Sequence, residues 1–147
     1  LTPVLHPHAG SYIEFEDEIE RVLDDTVDDG LQLCIDTGHF AYAGVEPVRF
    51  LAEHRDRTPY LHFKDIDPIV HQKVVSDGVA FFDAISLGVF CPVGQGVVDF
   101  NALAAELKTG FDGPGTIEQE RDFRSPTTPL EDAKASLDYL RGLGLAD

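Results

Sequence analysis

The sequence predicts an α/β fold built on a parallel sheet, and three observations carry that expectation. Short apolar runs alternate with longer amphipathic ones along the chain, which is the pattern of βαβ units. The spacing is regular: 30 residues separate His6 from Asp36 and 26 separate Asp36 from His62, close to one strand-helix repeat of roughly 30. Each apolar run also ends on ionisable side chains, at the strand ends where parallel α/β architectures place their sites.

The elements follow in order. Residues 2–6 (TPVLH) and 31–35 (LQLCI) read as strands, as do residues 60–63 and residues 116–117 with their neighbours. Residues 16–25 place Ile19, Val22 and Leu23 on one helical stripe. Pro47 suits the first turn of a helix that runs to about His54, with Val48, Leu51 and Ala52 continuing its apolar face. Asp99 is placed to cap a helix through Lys108, with Phe100, Leu103, Ala104 and Leu107 inward and Gly110 as its stop. The last helix opens on a capping box, Thr128 with Glu131, and has Pro129 in its first turn. Leu130, Ala133, Leu137 and Leu140 form its expected buried stripe, and Gly142 and Gly144 its end.

One interval breaks the rhythm. His62 and Glu118 are 56 residues apart, about two repeats. Residues 68–96 contain two helical stretches, 68–77 and 80–87, and then the loop CPVGQG. The absence of a β-branched run before Val89 favours an elaborated loop over an extra strand-helix pair.

Composition narrows the class. At 147 residues with 43% hydrophobic content, the chain has the size and make-up of a globular domain. No apolar run approaches the roughly 18–20 residues that cross a membrane, and no signal peptide is visible. The formal charge of −16 argues against nucleic acid as a partner. Two cysteines, Cys34 and Cys91, form no framework and fit a reducing cytoplasm. The chain starts at Leu1 and has no Met, so it reads as a piece of a longer or processed protein.

The chemistry-bearing residues sit at the strand ends: His6 and His8, then Asp36 and His39, then His62, Lys64 and Asp65, then Glu118 and Glu120. Taken singly, each has an ordinary structural role open to it. Asp36 before Thr-Gly suits a helix cap, His39 a structural histidine, and His62 the outer face of a half-exposed strand. Glu118 and Glu120 share one side of a strand, where one could serve only to bond a neighbour. Together they form a mixed imidazole and carboxylate set suited to a divalent ion, with Mn²⁺ or Co²⁺ expected first and Mg²⁺ or Zn²⁺ as alternatives.

The wording HPHAGSYIEFEDEIERVL, CIDTGHFAYAG, LHFKD, GVFCPVGQGVVDF and IEQERD, over residues 6–122, resembles inosose dehydratases of the xylose-isomerase-like superfamily. The resemblance implies the C-terminal half of a (β/α)8 TIM barrel, a single domain whose N-terminal half is absent. It implies one divalent ion on Asp36, His62, Glu118 and a first ligand at His8, with His6 as rival, since many relatives carry Glu there. His39, Lys64 and Glu120 fall at catalytic positions, with His39, Glu118 or Glu120 open as base and Lys64 or His39 as acid; His6 and Asp65 fall at substrate-contacting ones. The implied reaction is dehydration of a keto-inositol, a small polyol substrate, through an enediolate. The alternatives are a ketose or hydroxypyruvate-type isomerase or epimerase, and a catalytically silent half-barrel that associates with itself. An endonuclease-IV-like role sits badly with the charge of −16.

Overall fold

Four of the apolar runs become one parallel sheet, and the remaining elements cover it or loop out from it. The computed structural model describes residues 1–122 and 124–147. In chain order the elements are β1 (Val4–Leu5), α1 (Glu16–Asp25), β2 (Gln32–Asp36), α2 (Thr37–Tyr42) and α3 (Pro47–His54). Next come β3 (Tyr60–Phe63), β4 (Asp65–Ile66), α4 (Pro68–Asp77), α5 (Phe81–Ser86) and β5 (Phe90–Cys91). The chain closes with α6 (Phe100–Leu107), β6 (Gly115–Ile117) and α7 (Pro129–Gly142).

The sheet order is β1-β2-β3-β6, every pair parallel. Register fixes what each face carries. Asp36 pairs with His62, and His62 with Thr116. Side chains alternate along a strand, so Leu33, Ile35, Leu61 and Phe63 turn to the helices. There they join Ile19, Leu23, Phe40, Phe50, Leu51, Phe100, Leu103, Leu107 and Leu140 in the main core. Cys34, Asp36, His62 and Lys64 take the other face. His62 is thus a half-buried residue on the face opposite the helices, while its apolar neighbours Leu61 and Phe63 are buried against them.

The long interval is a loop excursion, as the lack of a β-branched run predicted. Its two ends zip into an antiparallel pair, β4 with β5, separate from the parallel sheet, and β3 lies directly beside β6. Inside the excursion Ile66, Val74, Phe81, Ala84, Val89 and Phe90 build a second, smaller core. Asp67 caps α4 through the Ile69 and Val70 N–H groups, and Gly78 closes it in the left-handed region at φ 62°.

Three local expectations change. In α3 the buried face is Pro47, Phe50 and Leu51, while Ala52 is exposed. The helix after Asp99 stops at Lys108 as its cap, ahead of Gly110. In α7 the capping box of Thr128 and Glu131 forms, but the buried stripe is Asp132, Ser136 and Leu140, with Leu130 79% exposed. Asp132 and Ser136 are buried because each has a partner: Asp132 pairs with Arg121 at 3.0 Å, and the Ser136 hydroxyl accepts from the Val93 N–H at 3.0 Å. Polar residues with such partners displace apolar ones from a packed face.

Candidate metal and polyol site

The four strand ends converge, and the segment Asp36-Thr37-Gly38-His39 shows how the sequence achieves it. Asp36 ends β2 and caps α2: its Oδ1 accepts from the Gly38 and His39 N–H groups at 2.9 and 2.8 Å. That leaves Oδ2 turned to the sheet face. The Thr37 hydroxyl donates to the Lys64 carbonyl at 2.6 Å and accepts from the Lys64 N–H at 3.0 Å, tying α2 to the junction of β3 and β4 that bears Lys64. Gly38 is required by packing, because a Cβ there would lie 2.4 Å from Lys64 Cγ. Sequence reading missed Thr37 and Gly38; their signal was the pair of small residues between two ligand-type ones.

Two carboxylate-bearing groups of donor atoms result among the described residues, beside a third, His6, Cys34 and His62, that overlaps the first. His6, Asp36, His62 and Glu118 each present a ligand atom, all within 4.8 Å of one another. His6 Nε2 and His62 Nδ1 lie 3.8 and 3.6 Å from Asp36 Oδ2. Glu118 Oε2 comes to 2.5 Å from His62 Nδ1, out of line for a hydrogen bond. His6 Nε2, Asp36 Oδ2 and His62 Nδ1 are buried without hydrogen-bond partners. Buried polar atoms that converge without bonding one another fit a divalent ion, which needs such lone pairs. The second group is His8, His39 and Glu120. The geometry thus exchanges the two histidines of HPHAG: His6, the rival, lies with Asp36, His62 and Glu118, while His8 lies with His39 and Glu120.

Lys64 stands between the groups. Its Nζ donates to Glu118 Oε1 at 2.9 Å and to His39 Nε2 at 2.8 Å, and pairs with Glu120 Oε2 at 2.7 Å and Asp36 Oδ2 at 3.4 Å. It is fully buried. Burial alone pushes an ammonium down, but Asp36, Glu120 and Glu118 outweigh it and hold Lys64 above its usual range. Its contacts hold Lys64 Nζ fixed among Asp36, His39, Glu118 and Glu120. The same balance works on Asp36. Burial pushes it up, yet the His6 and His62 imidazoles with Lys64 and His39 hold it well below the carboxylate range. Burial, reinforced by Lys64, pushes His39 down to about 3 against the pull of Asp36, so its ring is neutral.

Asp65 is not brought to the site. It is 0% exposed, and both its oxygens accept backbone N–H groups: Oδ1 from Ile66 and Val98, Oδ2 from Gly94 and Gly96, at 2.8–3.1 Å. Its oxygens pin the CPVGQG loop. Gly96 is there because a Cβ would fall 2.3 Å from Asp65 Oδ1. The excursion that this anchor holds supplies an aromatic wall the sequence reading did not assign. Phe81 meets His8 edge-on and His39 at a tilt, with ring centroids 5.3 and 5.8 Å away. Phe90 lies 5.6 Å from His39 and 5.0 Å from Lys64 Nζ.

The chain is similar to known proteins over nearly its whole length. An inosose dehydratase of Geobacillus thermodenitrificans is 32% identical over 139 residues, covering 94% of this chain and 46% of that protein. The chain therefore spans about half the length of the curated relatives it matches. Among solved structures, the probable 3-DHS dehydratase AsbF of Bacillus anthracis superposes with a TM-score of 0.68 at 16% identity, over 95% of this chain and 48% of that one. A zinc-bound IolI protein gives 0.65 at 17%, over 95% and 47%. The four parallel strands are thus half of a TIM barrel, and no described helix is long and apolar enough to cross a membrane. The family profile "Xylose isomerase-like TIM barrel" runs over residues 1–143; with all four strands and the donor atoms at their ends inside that span, the chain belongs to the xylose isomerase-like TIM barrel family.

Proposed function

We propose that this chain carries the metal-binding part of a hydro-lyase site that dehydrates a keto-inositol or a closely related polyol ketone. The observation that carries the reading is the convergence of His6, Asp36, His62 and Glu118, in which His6 Nε2, Asp36 Oδ2 and His62 Nδ1 are buried without a hydrogen-bond partner. The zinc in one structural neighbour and the dehydratase relative support it. In this reading His6, not His8, is the first ligand. Two imidazoles and two carboxylates suit Mn²⁺, Co²⁺ or Zn²⁺. A divalent ion held there supplies Lewis-acid polarisation of the substrate carbonyl.

The remaining chemistry falls to the second group. Glu120 is 26% exposed on its side chain and faces the mouth, and Lys64 holds its Oε2 in place. Glu120 is the base that takes the proton from the carbon next to the carbonyl. The His8 Nδ1 donates to the Ala9 carbonyl at 2.8 Å, which leaves Nε2 free at 3.7 Å from Glu120 Oε1. The proton that Glu120 takes passes through His8 Nε2 to the departing hydroxyl, the C–O bond breaks and water leaves. His39, buried and neutral, backs both. Phe81 and Phe90 close one wall against water.

The test pairs binding with turnover. With Mn²⁺ or Co²⁺ and a keto-inositol, the diketone product is followed by its absorbance. Glu120→Gln lowers turnover about 10²–10⁴-fold with metal affinity kept, whereas Asp36→Ala with His62→Ala abolishes metal binding. Unchanged Mn²⁺ affinity in that double variant sinks the shared site. Proton exchange at the substrate carbon without diketone identifies an epimerase instead.

A further inference from the structure

The second group of donors has the make-up of a cation site in its own right. His8, His39 and Glu120 come from three different strand ends, and their ligand atoms lie within 4.8 Å of one another. Two donors that share an ion, each about 2.1 Å from it, lie no more than about 4.2 Å apart. His39 Nε2 and His8 Nε2 stand 3.6 and 3.7 Å from Glu120 Oε1. The His8 ring is oriented from behind by its Nδ1 bond to the Ala9 carbonyl, the arrangement that usually fixes an imidazole ligand. Yet one cation is already there. Lys64 Nζ takes the His39 Nε2 lone pair at 2.8 Å and touches Glu120 Oε2 at 2.7 Å. It also reaches Glu118 Oε1 at 2.9 Å, on the edge of the first group.

We propose that the Lys64 ammonium is a built-in substitute for a second metal ion: it occupies the His8–His39–Glu120 pocket from one side and so confines the centre to a single divalent ion at His6–Asp36–His62–Glu118. The proposal rests on the one-metal reading above and extends it to metal stoichiometry. An ion bound to His39 Nε2 would compete with Lys64 for the same lone pair and meet its charge at close range, with nothing between them to screen it. The arrangement also explains why Gly38 leaves room for the Lys64 stem and why Thr37 grips the Lys64 backbone on both sides. A substitute for an ion has to be held as firmly as ligands hold one.

The experiment counts ions. The full chain is dialysed against MnCl2 and its bound manganese is measured per chain, for the wild type, Lys64→Met and Lys64→Met/His8→Ala. Methionine keeps most of the buried stem and removes Nζ. One ion in the wild type, two in Lys64→Met and one in the double variant is the expected result. Two in the wild type overturns the substitution, as does one in Lys64→Met with an unchanged melting curve; both leave the first metal site standing. No ion in the wild type brings down the one-metal reading and this inference together. If Lys64→Met does not fold, Lys64→Gln repeats the count. Paramagnetic resonance of the wild type in excess Mn²⁺ then decides independently: an isolated-ion spectrum supports the proposal, and a coupled Mn–Mn pair overturns it.

Discussion

Asp65 follows directly on Lys64, yet the two side chains do opposite work. Lys64 reaches four groups of the site, whereas both Asp65 oxygens face the backbone of the 94–98 loop. Burial pushes the Asp65 carboxyl up, while its four N–H donors pull the other way. Replacing it with asparagine turns one acceptor into an N–H2 group that confronts those donors. Asp65→Asn is expected to lose about 1.5–3 kcal/mol of stability in urea titration, with the loop, not the metal site, affected first. A variant as stable as the wild type would show that the loop is held by something else. The cysteines give a pH test. Burial, with Asp36 and Glu118, pushes the Cys34 thiol up to about 12; burial, with Asp65 and Asp67, does the same for Cys91. A raised folded-state value means the native chain keeps protons that the unfolded chain releases. Their contribution to stability is thus complete below about pH 9 and is lost as pH rises towards 12. At pH 8 a thiol reagent such as dithionitrobenzoate should label both slowly until denaturant is added. Rapid labelling of both in the folded chain would contradict this.

Helix boundaries were the most legible part of the sequence. The residues 16–25, 47–54 and 68–77 read from pattern are the observed α1, α3 and α4, because proline, acidic first turns and Asp caps are local signals. The strands were legible in place: β3 has the bounds read for it, β2 lies one residue later, and only β1 is markedly shorter, keeping Val4–Leu5. The site was legible as a set of strand ends but not in its internal grouping. Whether His6 or His8 joins Asp36 depends on the pleat at the end of a two-residue strand, which sequence does not encode separately. Nor could spacing reveal that Asp65 turns into a loop about 30 residues away in the chain. The faces of α7 failed for a related reason: Asp132 and Ser136 found partners on other elements. That failure yields a paired prediction. Thr128→Ala removes a formed cap and should cost about 1 kcal/mol. Leu130→Ser, at a residue 79% exposed, should stay within about 0.5 kcal/mol of wild type. If thermal melts show the opposite order, the helix is packed on its other face.

At the scale of the molecule, the sheet is open where a barrel is closed. Among the described residues β1 pairs only with β2, and β6 only with β3, so each leaves a row of backbone donors and acceptors on its outer edge. The inner face beside those edges carries the site, and its charges hold one another: Lys64 is shared among Asp36, Glu118 and Glu120. The outer edges have no such internal answer. Unpaired edges recruit strands unless they are covered, charged or very short. β1 has two residues and β6 three, with Val4, Gly115 and Thr116 exposed. The overall charge of −16 opposes close approach of a second copy, but that repulsion is screened within about 8 Å at physiological salt, while strand pairing acts at contact. The 147-residue chain is therefore expected to self-associate increasingly as salt is raised. Multi-angle light scattering between low and 0.5 M NaCl measures this directly. The expected mass is near 16.1 kDa at low salt and twice that or more at high salt, with Pro substitutions at Val4 and Thr116 restoring the monomer. A single mass of one chain at every salt concentration, with sharp cooperative unfolding, would mean that such short edges need no cover.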